Sequence, residues 1–177
     1  MTQALAPIIL PIYEERAITL AQEPAEAIAQ AQKAAAALME VVEQRKLYVN
    51  IQGRKHLQIE GWQILGAFYG ITVRTEEVPE DIVEDGKWIG ARAHAVALHR
   101  GEIVSGAWSA CMRDEKHWDM APRFQVESMA QTRAAAKALR MPLGFIMALG
   151  GYDATPAEEM PHEVRPAARQ PRAAPKP

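Results

Sequence analysis

The stretch 124–144 constrains the fold most, because it favours one long helix built largely from small side chains. Its interior is rich in Ala, Gln, Met and Leu, which are good helix formers. Pro122 precedes the stretch, and Pro142 with Gly144 predicts its end. Small side chains recur every four residues on one face: Ala130, Ala134 and Ala138. We therefore predict a long helix that lies close against a β-sheet.

The same helix carries a row of basic residues at 133, 137 and 140. At about 100° per residue, these positions fall within an arc of roughly 60°. From 121 to 152 there are four basic residues and one acidic residue, in a chain whose net charge is −2. Two interpretations stay open: a stripe that binds a row of phosphates, and an ordinary solvated face.

The chain has 177 residues, of which 49% are hydrophobic, enough for one domain with a core and tails. Cys111 is the only cysteine, which excludes an intrachain disulfide and a cysteine-based zinc site. No apolar run approaches the roughly 20 residues of a membrane span. Residues 1–11 lack the basic start of a signal peptide. We expect a soluble, cytoplasmic protein.

The pattern before the long helix predicts an arm, a helix and a short strand. Residues 1–23 are an N-terminal arm, and 24–45 read as a helix with Pro24 in its first turn. Residues 46–52 alternate apolar and polar, which indicates a strand, and Gly53-Arg54-Lys55 predicts a basic turn. A second helix over 59–69 ends at Gly70.

Three strands are predicted next. Residues 71–77 form the first, and the acidic segment 78–86 is expected to be a loop that ends in the turn Asp85-Gly86. Residues 88–99 and 102–112 alternate strongly on either side of Arg100-Gly101, which indicates a hairpin.

Beyond the long helix, a capping box is predicted at 155–158, starting a short helix that ends near Met160. Residues 161–177 are Pro, Ala and Arg, and predict a disordered basic tail. The domain organisation is therefore an arm over 1–23, one domain over 24–160, and a tail over 161–177.

Motifs for bond chemistry are absent from the sequence. There is no Gly-rich phosphate loop ending in Lys-Ser/Thr, and no Gly-x-Ser-x-Gly. His94 and His99 have opposite parity on one strand, so they face opposite sides of the sheet. The acidic residues of 76–85 read as a solvated loop rather than a metal site. Trp118 and Tyr69, near basic residues, are candidates for stacking on bases.

Three segments in a fixed order carry a family resemblance. They are Tyr48-Val-Asn-Ile-Gln-Gly-Arg-Lys55, then Gly61-Trp62 with Phe68-Tyr-Gly70, then Ser128-Met-Ala-Gln-Thr-Arg-Ala-Ala-Ala-Lys-Ala-Leu-Arg140 followed by Gly144. Over residues 46–152 the chain resembles the single-strand annealing proteins of the Rad fifty-two superfamily, including phage recombination proteins. The resemblance implies a β-β-β-α core within an α+β fold, assembly into a large homo-oligomeric ring, and a bacterial or phage-infected cell. The N-terminal helix over 24–45 is predicted from its own pattern and matches the family less clearly.

The resemblance also implies a function: ATP-independent binding and annealing of complementary single-stranded DNA, in recombination or repair. In the family a groove holds the DNA backbone with the bases outward, and its basic residues match Lys55, Lys137 and Arg140. Arg54 and Arg133 are adjacent to these matched positions. The family often has two neighbouring basic residues on the helix, whereas this chain has Ala136-Lys137. Arg133, one turn earlier, is the candidate substitute for the missing basic residue. Further candidate DNA contacts are Tyr69, Arg92, Arg113 and Lys116.

We expect no cofactor and no enzyme activity, because annealing requires no bond chemistry. Candidate partners besides DNA and further copies of the chain are an exonuclease or a single-strand binding protein, and no membrane is expected. Two alternatives stay open: a non-catalytic adaptor domain whose basic helix docks an acidic protein, and a small-molecule enzyme that uses the acidic loop.

Overall fold

The computed structural model describes residues 23–160, which form an α+β fold of three helices and two antiparallel sheets. The helices are α1 (Pro24–Arg45), α2 (Ile59–Phe68) and α3 (Arg123–Leu149). The strands are β1 (Tyr48–Ile51), β2 (Arg54–Leu57), β3 (Ile71–Glu84), β4 (Lys87–His99) and β5 (Glu102–Met112). The predicted tail, and the predicted arm apart from Glu23, lie outside the described residues. Between 23 and 160, no helix is both long and apolar enough to cross a membrane.

A three-stranded antiparallel sheet in the order β3-β4-β5 packs one face against α3, as predicted. Both surfaces in contact are built from alanine. On the central strand these are Ala91, Ala93, Ala95 and Ala97, and on the helix Ala130, Ala134 and Ala138, all buried. Side chains of alternate strand residues share a face, so over residues 91–97 one face of β4 presents only methyl groups to the helix. The helix therefore lies close to the sheet.

The other side of α3 is covered by α1 and α2, and here the core side chains are large. The fully buried residues are Leu38 and Val42 of α1, Trp62 and Leu65 of α2, and Leu139, Leu143 and Ile146 of α3. Gly66 allows α2 to pack closely on the start of β3, since a Cβ there would lie 2.8 Å from the backbone oxygen of Ile71. The helices predicted at 24–45 and 59–69 are confirmed. With both sides covered, α3 is a central element rather than a surface helix.

The prediction that Pro142 and Gly144 end the long helix is wrong, because α3 continues to Leu149 with Pro142 inside it. Proline has no N–H, so the carbonyl of Ala138, four residues earlier, loses its helical hydrogen bond. The Ser105 hydroxyl on β5 donates to that Ala138 oxygen at 2.9 Å and replaces the lost bond. Burial of Leu143, Ile146 and Met147 then favours continuing the helix beyond the proline.

The segment 78–86, predicted as a loop, is mostly strand. β3 runs to Glu84 with an irregular register between Glu76 and Glu80, where Glu77 adopts a φ of 59°. Pro79 is tolerated because β3 is an edge strand and the proline lies within the bulge. Two of its acidic residues form ion pairs that the sequence pattern did not predict: Glu80 with Arg92 on β4, and Asp81 with Arg123 at the start of α3.

The basic turn predicted at 53–55 is instead a hairpin, since β1 pairs with a second strand, β2. The turn residues are Gln52 and Gly53, with φ of 51° and 79°. Arg54 and Lys55 therefore begin a strand rather than occupy the turn. The turns predicted at Asp85-Gly86 and Arg100-Gly101 are confirmed, again with positive φ at both residues.

After α3 the chain crosses back over the hairpin in a segment that we call the strap, residues 151–160. It includes a 3-10 turn over Ala157–Glu159. The predicted capping box is wrong, because Glu158 does not cap its own helix: its carboxylate accepts a hydrogen bond from the Ile59 N–H, at the start of α2, at 3.0 Å. A carboxylate at this position also favours the helix dipole of α2.

Candidate nucleic-acid interface

The β1–β2 hairpin projects its two cations from opposite faces. Arg54 stands opposite Ile51 and Lys55 opposite Asn50, and neighbouring residues of a strand point to opposite sides. The Arg54 side chain is 77% exposed, and its guanidinium lies 3.5 Å from a carboxylate oxygen of Asp153 on the strap. Arg54 is thus exposed and Lys55 half-buried, and the two cations point in different directions.

Lys55 folds back towards the C-terminal end of α1. Its ammonium forms an ion pair with Glu43 and lies 4.8 Å from the centre of the Tyr48 ring. The hydrogen bond to Glu43 raises the pKa of the Lys55 ammonium, and the same bond lowers the pKa of the Glu43 carboxyl. Both groups therefore stay charged around neutral pH, and an incoming phosphate would compete with Glu43 for this ammonium.

An open groove of about 450 Å³ lies between the hairpin and the strap. Its lining residues are Gly53, Arg54, Lys55, Gly151, Tyr152 and Asp153. The two glycines have φ of 79° and 78°, with open space where a side chain would stand. These conformations favour glycine, and the missing side chains leave the backbone open to a ligand. The groove thus combines two cations, an aromatic ring and accessible backbone.

The strap is held firmly in its middle. Ala157 is buried, and Pro156 is among the fully buried residues. On the hairpin side, the ring nitrogen Nδ1 of buried His56 lies 3.0 Å from the Thr155 backbone oxygen. On the α3 side, the Arg133 side chain donates to the Glu158 backbone oxygen at 3.0 Å. The strap therefore fixes the hairpin to the helix.

Arg133, Lys137 and Arg140 share one face of α3, as their spacing predicts, but that face looks towards the strap rather than towards open solvent. Arg140 donates to Glu159 at 3.0 Å and its side chain is 31% exposed. A Cβ on Gly144 would lie 3.7 Å from the Ala154 Cβ. Lys137 lies between Arg133 and Arg140 and is half-buried; within residues 23–160 its ammonium has no side-chain partner.

Arg133 is the clearest correction to the predicted stripe, because it is only 7% exposed. Its guanidinium donates to both carboxylate oxygens of Glu115, at 2.7 and 2.5 Å, and to the Ala110 backbone oxygen at 2.8 Å. The bond and charge of Glu115 outweigh the effect of burial and raise the pKa of Arg133. A guanidinium with its donors engaged in this way joins β5, the β5–α3 loop and the strap, and has no surface left for phosphate.

Three further candidates, Tyr69, Arg92 and Lys116, lie apart from the groove. Tyr69 lines a separate groove between α1 and α2, and burial raises the pKa of its hydroxyl. Arg92 lies on the outer face of the sheet, paired with Glu80 at 2.5 Å and 5.5 Å from the centre of the Trp108 ring. Lys116 is exposed in the loop between β5 and α3. The structure brings none of these three to the hairpin or the strap.

The acidic and aromatic residues of the strap were missed from the sequence. Tyr152, Asp153 and Glu159 all lie against the cations that the sequence singled out. In the sequence, only their position could have identified them as site residues, because they follow Gly150-Gly151, where the chain turns back after α3. In the described part of the chain, no group of three His, Cys, Asp or Glu side chains is arranged to hold a metal ion.

No protein-family model, curated protein or solved structure matches this chain.

Proposed function

We propose that this protein binds single-stranded DNA by its backbone and anneals complementary strands without ATP. The observation that carries the proposal is the placement of four cations around one strap. Arg54 and Lys55 come from the hairpin, and Lys137 and Arg140 come from α3. Arg54 and Lys55 line the open groove beside the strap, whereas Lys137 and Arg140 lie on the α3 face that looks towards the strap. Residues far apart in sequence thus surround one segment, and in this proposal they contact successive phosphates of one strand.

The chemistry of this surface favours binding that ignores base sequence. Lys and Arg bind phosphate oxygens. Gly53 and Gly151 carry no side chain and leave room for a strand to approach the hairpin and the strap. Tyr152 offers a ring on which any base could stack, because every base has a π-face. Uniform binding along a strand is what annealing needs, since the base edges must remain available for pairing.

Ring assembly is part of the same proposal. In the three-stranded sheet, β3 and β5 are both edge strands, which can pair with another chain. Large apolar side chains are exposed at Val78, Met120, Phe124, Met141 and Phe145. Repeating one groove around a closed ring would line up its few cations into a continuous path. Light scattering that shows only monomer at micromolar concentration would exclude this assembly.

Fluorescence anisotropy with labelled oligothymidylate tests the binding directly. We expect affinity to fall with salt, with a log–log slope of about −0.7 for each phosphate neutralised. Mixed-sequence oligonucleotides should bind with similar affinity. Annealing is measured with complementary strands carrying a donor and an acceptor dye, in buffer without nucleotide triphosphate.

A flat salt dependence, or no binding to any single strand, would refute the proposal. The second outcome would favour the adaptor hypothesis, in which the basic residues contact an acidic protein. Binding without faster annealing would restrict the function to single-strand binding.

A further inference from the structure

The strap carries a carboxylate at each end that contacts one of the proposed DNA-binding arginines. Asp153 lies 3.5 Å from Arg54, and Glu159 lies 3.0 Å from Arg140. The two side chains are only 20% and 18% exposed, so both are held against the protein. Carboxylate oxygens and phosphate oxygens offer a guanidinium the same kind of acceptor.

The middle of the strap does not have to move for these contacts to open. Ala157 and Glu158 are buried, and Arg133 and His56 bond to strap backbone oxygens. The Asp153 and Glu159 side chains flank this anchored part. A side chain can leave an arginine by rotating, whereas release of the anchored part would break the packing between hairpin and α3.

We propose that Asp153 and Glu159 are built-in competitors for nucleic-acid phosphate. In the free protein they hold Arg54 and Arg140, and a bound strand displaces them. This inference rests on the proposed function, and it adds a means by which the protein limits its own affinity for that strand.

The charge of Asp153 is secured by its surroundings. Its carboxylate accepts a hydrogen bond from the Thr155 N–H at 2.9 Å. That bond, together with the Thr155 hydroxyl, His56 and Arg54, lowers the pKa of Asp153. The competitor is therefore negatively charged at every pH at which the protein would meet DNA. Competition of this kind weakens binding without regard to sequence, and it favours release of the strands once they have paired.

The test removes each charge and keeps the shape of the side chain. Asp153→Asn retains an oxygen for the Thr155 N–H, and Glu159→Gln retains the length of the side chain. We expect each variant to bind labelled oligothymidylate roughly two- to tenfold more tightly than wild type, as expected for loss of a partly exposed ion pair. The salt slope should stay the same, because the number of neutralised phosphates does not change.

Glu84→Gln and Asp85→Asn are the matched controls. Both residues are exposed at the β3–β4 turn, and each change alters the net charge by the same amount. These variants, singly and together, should bind like wild type. Circular dichroism melting checks that every variant is folded, and Glu159→Ala is the second variant if Gln at 159 destabilises the strap.

The outcomes separate the two proposals. If wild type binds and Arg140→Ala weakens binding, but the strap variants match their controls or bind less tightly, then the competition is refuted and the proposed function stands. If wild type binds too weakly to measure and the Asp153→Asn/Glu159→Gln double variant binds, the competition is supported. If no variant binds any single strand, both are refuted.

Discussion

The hairpin and the long helix α3 each supply arginines that the sequence assigned to the same surface, yet they use them differently. Arg54 of the hairpin has a side chain that is 77% exposed, with one long contact to Asp153. Arg133 of α3 is 7% exposed and donates to Glu115, Ala110 and Glu158.

The difference shows that the neighbours of an arginine, rather than its helical spacing, decide its role. The planar fork of Arg133 matches the Glu115 carboxylate and two backbone carbonyls at once, which a lysine could not do. Arg54 stands on a short two-stranded sheet, and the ion pair that it forms within residues 23–160 is with Asp153 of the strap. One arginine therefore holds elements together, and the other remains available to a ligand.

Among these variants, Arg133→Ala should have the largest effect on stability. A small effect would show that Arg133 does not hold these elements together. It leaves Glu115 without its bidentate partner and removes donors from two backbone oxygens. We expect a loss of about 3 kcal/mol in the free energy of unfolding, the low end for breaking a buried ion pair. Urea unfolding followed by circular dichroism measures it.

Arg133→Lys is the matched control, since it keeps the charge and loses the fork, and should lose less stability. Labelling of Cys111 gives a second reading, because burial raises the pKa of this thiol to about 11 and keeps it unreactive in the native state. Arg133→Ala should speed the labelling. A stable Arg133→Ala variant with impaired DNA binding would instead place Arg133 on the interface.

Ser105→Ala tests how α3 tolerates its proline. The change leaves the Ala138 carbonyl buried without a donor, which should cost about 1–3 kcal/mol of stability. In a Pro142→Ala background the helix supplies its own N–H for that carbonyl, so the same change should cost much less. A double-mutant cycle by urea unfolding gives this coupling directly, and equal costs in both backgrounds would show that Ser105 acts in another way.

Lys55→Ala and Arg140→Ala test the cations that are proposed to bind the ligand. Each removes one proposed phosphate contact, so binding should weaken on all sequences alike and the salt slope should fall by about 0.7. Annealing should slow in parallel. Melting temperatures should stay close to wild type, because neither side chain is fully buried.

Lys87→Ala, at an exposed position far from the strap in sequence and fold, is the control for these two changes. The proposal that the groove binds DNA is refuted if Lys87→Ala weakens binding as much as Arg140→Ala does. It is also wrong if both groove variants keep full affinity while folded.

Asp153→Asn should change stability in a way that depends on pH. Because the folded protein lowers the pKa of Asp153 from its ordinary value of 3.8, the carboxylate stabilises the fold above that value. The contribution is lost as pH falls through the lowered folded pKa. Asp153→Asn should therefore be slightly less stable than wild type at pH 7, by less than about 1 kcal/mol. The two should converge in strong acid, and a constant gap would show that charge is not the cause.

Truncation after Met160 should have the smallest effect. The predicted tail, 161–177, lies outside the described residues, whereas hairpin, strap and α3 share a core formed by residues within 23–160. We expect the melting temperature of the shortened chain to match that of the full chain. Weaker DNA binding without a change in melting would assign the tail's four basic residues to the ligand.

Local rules were sufficient for much of this fold. Alternation placed β4 and β5, positive-φ turns followed from Asp85-Gly86 and Arg100-Gly101, and the alanines of α3 indicated a close sheet. These features depend on residues adjacent in sequence or one helical turn apart, so a sequence pattern contains them. The common face of Arg133, Lys137 and Arg140 was predictable for the same reason.

The residues that cover this face of α3 come from distant segments of the chain, so only the tertiary structure identified them. Glu115 and Glu158 bury Arg133, Ser105 compensates for Pro142 across 37 positions of chain, and Glu158 caps a helix 99 residues away. No local pattern encodes such pairs, because each depends on where the strap and β5 meet α3. The sequence thus determined which residues carry charge and how they are spaced, and packing determined which of those charges remain open to a ligand.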